Sequence, residues 1–307
     1  MEIIRGLGQI NSSDDSVVTV GTFDGLHLGH KKILDQVLEI ARTKKLKSTL
    51  ITFEPHPRVV LHKASVAQSQ LLSTIDEKFN ILETTGIDCV LVIEFNQDFA
   101  NKTYDRFVDD VLLGKLSMSY LVVGYDHAFG KDREGHFENV RNLANAEHFN
   151  LIRVEPFFMN GTAVNSSFIR NLLFDGDVRN AAEFLGRPYQ LSGKVVPGDG
   201  RGKKLSFPTA NIDPENEHKI VPKNGVYAVD VLVEGQRKKA MMNIGNRPTF
   251  KASGYALEVN IFDWNKDIYD ESITIFFKER LRDEKKFESG EELVNQLKID
   301  KNQSLEL

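Results

Sequence analysis

Cysteine is nearly missing from this sequence, with one residue, Cys89, among 307. A single thiol excludes a disulfide framework and fits a reducing compartment. No stretch stays apolar for the roughly 18 residues that a membrane-crossing helix requires. The first residues, MEIIRGLGQINSSDD, carry neither the apolar core of a secretory leader nor an Arg-rich amphipathic pattern, so the expected location is the cytoplasm. Positive charge is not in excess either: 39 basic residues face 44 acidic ones, a net charge of −5, which argues against a nucleic-acid surface. Hydrophobic content of 41% and charged content of 27% are those of an ordinary globular chain, and 307 residues lead us to expect two domains. Neither repeats nor low-complexity segments interrupt it.

What is present concentrates first in residues 17–34, VVTVGTFDGLHLGHKKIL. A β-branched run ends at Gly21, and Ile33, Leu34, Val37, Leu38 and Ala41 then fall on one helical face. Gly25 and Gly29 lie in or beside the connection. A Gly-rich strand-to-helix turn presents backbone N–H groups and the positive end of a helix dipole, which suits a polyphosphate. His27 and His30 add donors. The H-x-G-H spacing is neither the G-x-x-x-x-G-K-[ST] loop nor G-x-G-x-x-G. Structural zinc lacks further ligands, since no His/Cys cluster completes a tetrahedron around the two histidines. Two ordinary histidines at a helix start remain the plainer alternative.

Up to about residue 184, strand-like runs at 49–53, 89–93, 120–123 and 151–154 alternate with helical patterns at 76–85, 104–113 and 138–147. This is the rhythm of a parallel α/β sheet, whose ligands gather at the carboxyl ends of the strands. Two short helices follow at 166–174 and 178–185, the second capped by Asp177. Leu185-Gly186-Arg187-Pro188 then breaks the pattern. Alternating strands at 226–233, 257–262 and 273–277 come next, and Ser289-Gly290-Glu291-Glu292 has the form of a capping box for a terminal helix. The expected domains are 1–184, α/β, and 185–307, a small β-barrel or sandwich with a C-terminal helix.

Three further groups in the first domain carry chemistry. His56 stands between Pro55 and Pro57 in FEPHP at a strand end, where a rigid loop histidine either meets a ligand or packs. Asp126, in the glycine-bracketed turn GYDHAFG, either meets a ribose or cofactor group or caps its own turn. In NSSFIR, Ser166 and Ser167 either cap a helix or bind phosphate, with Arg170 one turn along to neutralise charge. In the second domain, GKVVPGDGRGKKLSFPTANI joins a cationic glycine loop to Thr209 and Asn211, hard oxygen ligands on one side of an extended segment and acceptable to Mg²⁺. Glu258 alternates with Leu257 and Val259; facing Thr209, it would deprotonate an alcohol.

Taken together, GTFDGLHLGH, FEPHP, GYDHAFGKDREG, NSSFIRNLL, GDGRGKKLSFPTANI, NIGNRPTF, LEVNIF and LRDEKKFESGEEL resemble the bifunctional riboflavin kinase/FMN adenylyltransferase family, or FAD synthetases, over almost the whole chain. The resemblance implies a Rossmann-like nucleotidylyltransferase domain followed by a six-stranded Greek-key barrel with a C-terminal helix. It implies ATP, riboflavin and FMN as small-molecule substrates and Mg²⁺ as cofactor. Gly21, Phe23, Asp24 and Gly29 are then assigned to the phosphate turn. His27, His30 and Arg170 go to adenylyl transfer, and Ser166 and Ser167 to phosphate. The kinase loop takes Gly198, Gly200, Gly202 and Lys203, the metal Thr209 and Asn211, and the general base is Glu258. His56, Pro57 and Asp126 are candidate flavin contacts. The chain departs from the family pattern at Asn165 and Ser167, where Ser and Thr are customary, at His127, where an aromatic is common, and at Ser206, where glycine is frequent. Alternative readings are transfer to another phosphorylated acceptor and a ligand-binding regulator without turnover.

Overall fold

The computed structural model describes residues 1–10, 14–61, 70–198, 207–246 and 255–307, which form two compact units, Met1–Ser166 and Ser167–Leu307. In the first unit a six-stranded parallel sheet has the order β1-β4-β3-β2-β5-β6. Its strands are β1 (Glu2–Arg5), β2 (Ser16–Val20), β3 (Lys47–Glu54), β4 (Cys89–Glu94), β5 (Met118–Gly124) and β6 (Asn150–Val154). The central strands are apolar almost throughout because both faces are covered. Val18, Val20, Ile51, Leu91, Leu121 and Val123 face one layer, while the alternate residues Val17, Leu50, Val90 and Val122 face the other. The second layer is α1 (Leu28–Lys44), through Leu34, Val37, Ile40 and Ala41, together with Leu82 of α3 (Ile75–Glu83).

The chain places β3 and β4 on one side of β2 and then crosses to place β5 and β6 on the other. Strand order therefore reverses at β2, and the crevice beyond its carboxyl end lies where ligands of open parallel sheets collect. The segment 104–113, expected as one regular helix, is α5 (Tyr104–Phe107) continued by a π-helical stretch, Val108–Leu113. The wider turn buries Val108, Val111 and Leu112 together in the core. β1 carries too short a pattern to be read from sequence, yet it completes the sheet edge by pairing with β4.

The second unit begins on α7 (Ser166–Asp175) and α8 (Val178–Leu185), the latter capped as expected by Asp177, whose carboxylate accepts from Asn180 N at 3.1 Å. A closed barrel follows, formed by β9 (Gln190–Val196), β10 (Ala210–Pro214), β11 (Gly225–Val233), β12 (Gln236–Asn246), β13 (Tyr255–Ile261) and β14 (Ser272–Arg282). It closes in the order β10-β13-β12-β11-β14-β9, all neighbours antiparallel. Leu191, Val195, Tyr227, Val229, Met242, Ile244, Val259, Ile275 and Phe277 are fully or almost fully buried, which is the inward half of the alternation. The terminal helix α9 (Gly290–Glu306) lies against β11 and β12, and its fully buried Asp300 is held by the Arg282 guanidinium at 2.7 Å. Ser289 caps it, accepting from Glu292 N, while Glu292 reaches back to Glu288 N, one residue short of a reciprocal box.

Candidate active sites

The turn after β2 is built by backbone conformations that side chains rarely adopt. Phe23, Gly25 and Leu26 have φ of 47°, 82° and 40°. For Phe and Leu these values are strained, and burial of both side chains, at 3% and 5% exposure, holds them there. The chain then enters α1 with His27 as N-cap, its Nδ1 accepting from His30 N at 3.3 Å. The two imidazoles stack at 3.6 Å between centroids, and the Phe23 ring meets His30 edge-on at 5.1 Å. Gly29 is closely packed: a Cβ there would lie 3.1 Å from His27 Nδ1 and 3.2 Å from the Val164 carbonyl, so its neighbours would have to shift to admit one.

Asp24 is fully buried and its carboxylate faces inward. It accepts from Leu72 N at 2.9 Å and Ser73 N at 3.0 Å, while Ser73 Oγ accepts from Gly25 N at 3.0 Å. Asp24 thus latches the turn to the segment leading into α3. That helix starts rigidly, since Thr74 and Glu77 form a reciprocal capping box. On the other side, the Ser166 hydroxyl donates to the Asp24 carbonyl at 3.0 Å, which brings the first serine of NSSFIR to the glycine turn. Ser167 and Arg170 follow it on α7; Arg170 is buried at 6% exposure.

A residue that motif reading passed over lies beneath this turn. Lys78 of α3 is buried at 3% exposure, and its ammonium donates to the Thr22 carbonyl at 2.7 Å and to Thr52 Oγ1 at 2.9 Å. Burial pushes its pKa down to about 8, against the opposing pull of Asp24 and Glu54. Burial also raises the Glu54 carboxyl above its ordinary range, with Lys78 and Arg5 pulling the other way. The signal was in the sequence: Ile75, Lys78, Phe79 and Leu82 share the i, i+3, i+4, i+7 stripe, so a lysine occupies a core position of an amphipathic helix.

The loops after β3 and β5 leave the same sheet edge as the glycine turn, because the strands are parallel. His56 is buried at 9% exposure, and its Nδ1 accepts from Arg58 N at 3.0 Å, starting the short helix α2 (Pro57–Leu61). Asp126 is exposed in the turn after β5.

The barrel places its candidates by register. Asn211 of β10 pairs with Glu258 of β13, and Glu258 pairs on its other side with Asn243 of β12. Residues directly opposite on antiparallel strands point to the same face, so the three form one polar rung across the outside of the barrel. Their neighbours Leu257, Val259, Met242 and Ile244 point inward. Asn260, two residues beyond Glu258, donates to the Pro208 carbonyl at 2.6 Å and fixes the approach to Thr209, which is exposed. A Cβ at Gly198 would collide with the Asn211 amide, so the glycine lets the chain cross that side chain. Beside Thr209 a cavity of about 350 Å³ opens between Pro208, Val259, Ile261, Trp264 and Tyr269. Asn243 and Asn260 were not singled out from the sequence, although alternation along β12 and β13 sets them opposite to buried neighbours. Gly200, Gly202, Lys203 and Ser206 lie outside the described residues, as does most of NRPTF.

A glycine turn at the reversal point of a parallel sheet and a closed barrel with a polar rung on one chain are the arrangement of a two-domain transferase. Residues 9–168 match the family model of FAD synthetase, and residues 185–307 match that of riboflavin kinase. The chain is 36% identical to the bifunctional riboflavin kinase/FMN adenylyltransferase of Bacillus subtilis strain 168, over 94% of this chain and 92% of that one. It is 34% identical to the protein of the same name from Escherichia coli K12, over 98% and 96%. The chain belongs to the family of bifunctional riboflavin kinase/FMN adenylyltransferases. Among solved structures it resembles one described as a macrolide-efflux protein from Streptococcus pneumoniae, with a TM-score of 0.91, 31% identity and full coverage of both chains. That description is of that protein; among the described residues here no helix is long and apolar enough to cross a membrane.

Proposed function

We propose that this chain makes FAD from riboflavin in two ATP-dependent steps, one carried by residues 1–184 and the other by residues 185–307. The barrel phosphorylates the ribityl hydroxyl of riboflavin to give FMN and ADP. The parallel-sheet domain then transfers an adenylyl group from a second ATP to FMN, giving FAD and pyrophosphate. The observation that carries this reading is the presence, on one chain, of both a phosphate turn with H-x-G-H at a sheet reversal and the Asn211–Glu258–Asn243 rung.

In the first step Glu258 takes the proton from the hydroxyl as its oxygen attacks the γ-phosphorus of ATP. Asn211 and Thr209 are oxygen donors beside it, and Mg²⁺ suits such a sparse set because it keeps most of its shell for water and substrate phosphates. They would hold the ion against the phosphates, where it supplies charge neutralisation. The cavity bounded by Trp264 and Tyr269 takes the nucleoside end of ATP; aromatic walls suit a base. In the second step the FMN phosphate oxygen attacks the α-phosphorus and pyrophosphate leaves. No covalent nucleophile is needed, since the attacking group is already anionic. His27, His30, Ser166, Ser167, Arg170 and the amides around Gly21 and Gly29 position and neutralise the phosphates. Phe23 and Asp24 act by shaping the turn. His56, Pro57 and Asp126 are assigned to the flavin side, and Gly198, Gly200, Gly202 and Lys203 to the loop over the kinase nucleotide. We place the functional boundary between residues 184 and 185, supported by the start of the riboflavin kinase match at 185, and the enzyme in the cytoplasm.

The test is to supply riboflavin, ATP and Mg²⁺ and separate the flavins. Glu258→Ala should abolish FMN formation, by about 10² to 10⁴-fold as for loss of a general base, and still convert supplied FMN to FAD. His30→Ala should do the reverse. Loss of both activities in either variant would contradict the assignment.

A further inference from the structure

Lys78 reaches the glycine turn from α3, on the buried side of the turn. Its ammonium donates to the turn backbone at the Thr22 carbonyl, and Thr52 Oγ1 donates to that carbonyl as well at 3.2 Å. Thr22 immediately precedes strained Phe23. Fixing its carbonyl inward fixes the peptide plane from which the turn departs. Lys78 is itself fixed, because α3 is capped at Thr74 and its lead-in is held by Asp24. A lysine needs no place in a core stripe for stability, since burying an ammonium is costly. At a site that binds a polyphosphate and a phosphate monoester, a positive charge sealed from water acts undamped by solvent.

We propose that Lys78 is a positioning residue for adenylyl transfer, holding the phosphate turn through the Thr22 carbonyl and placing a positive charge beneath the bound phosphates. The inference rests on the adenylyltransferase reading of this unit. The charged groups that share its surroundings are Asp24 in the turn, Glu54 at the end of β3, and, around Glu54, Arg5 of β1 and Asp76 on α3 itself. With a lysine pKa of about 8, the charge is present at neutral pH and is lost on mild alkalinisation. Phosphate binding favours the charged form, so ATP binding takes up protons near pH 8.

The experiment measures FAD formation from supplied FMN between pH 7 and 9.5 in the full chain, with FMN formation from riboflavin as the control in the same tubes. For the wild type, kcat/KM for ATP in FAD formation falls with a single-proton limb near pH 8, and the limb in kcat lies at higher pH. FMN formation lacks that limb. Lys78→Met lowers kcat/KM for ATP in FAD formation by about tenfold at pH 7, the loss expected for a charge acting behind the contact layer. It also removes the limb, while Thr52→Val keeps it because the charge remains. A merely structural lysine would instead lower the unfolding midpoint in proportion to activity and leave the pH profile unchanged. A wild-type profile flat across pH 8, which needs no variant to fold, overturns the proposal, as does Lys78→Met activity within twofold of wild type. No FAD from FMN in the wild type at any pH would instead sink the adenylyltransferase reading.

Discussion

The two candidate sites are built by different means. In the first, the frame is a backbone turn with three residues at positive φ, braced by a buried ammonium and latched by a buried carboxylate. In the second, it is a rung of side chains whose alignment comes free with antiparallel register. A backbone site is sensitive to anything that adds volume or removes a brace, even far from substrate. A side-chain site is sensitive to the chemical identity of a few residues and tolerant around them.

The comparison can be broken most directly at its glycines. Gly29→Ala pushes a methyl against His27 and the Val164 carbonyl, and we expect FAD formation from FMN to fall by about tenfold with FMN formation unchanged, since a misplacement of about 1 Å can cost about 10²-fold and this one is smaller. Gly198→Ala pushes instead on the Asn211 amide, the swinging end of a side chain, so FMN formation should fall by less. Equal losses in the two steady-state assays would mean that the sites are built alike. Next in size is the latch. Asp24→Ala leaves the buried Leu72 and Ser73 amides without their acceptor, and chemical denaturation should show the first unit destabilised by about 2–6 kcal/mol, at about 1–3 kcal/mol for each orphaned group. The barrel transition should not move. The smallest effect concerns pH. Lys78 has a folded pKa of about 8 against 10.5 unfolded, so below pH 8 both states hold the proton and the burial cost is complete. Between these values the unfolded state binds more protons, and stability rises with pH. From pH 7.5 to 9.5 the first unit should gain about 2 kcal/mol at most relative to Lys78→Met, because each pH unit above the folded pKa is worth about 1.4 kcal/mol and about 1.5 such units lie in that window. An identical slope in wild type and variant would remove the lysine from this account.

The sequence was legible where a change of period coincided with glycine. Val17 to Val20 followed by the stripe of Ile33, Leu34, Val37 and Ala41 leaves little choice but strand, turn and helix, and the H-x-G-H residues fall where the helix begins. The capping signals at Asp177 and Ser289 were local and held. β10 and β12 were harder. Their strand character comes from pairing across the barrel, and Gln236 to Lys239 alone reads as a polar hairpin. The direction in which Asp24 and His56 face was not legible at all. Both are set by distant or turn-local amides, Leu72 and Ser73 for one and Arg58 for the other, so their polar atoms meet backbone first.

The rung across the barrel has a consequence for how the enzyme can fail. Because side chains alternate along β13, a slip of one residue against β12 would replace Glu258 on the rung with Leu257 or Val259 and carry the carboxylate into the apolar interior. With Glu258 as the proposed base, a mispaired barrel would lose kinase activity outright, where a loosened loop would only weaken it, and FMN output per molecule would then report strand alignment in the second unit.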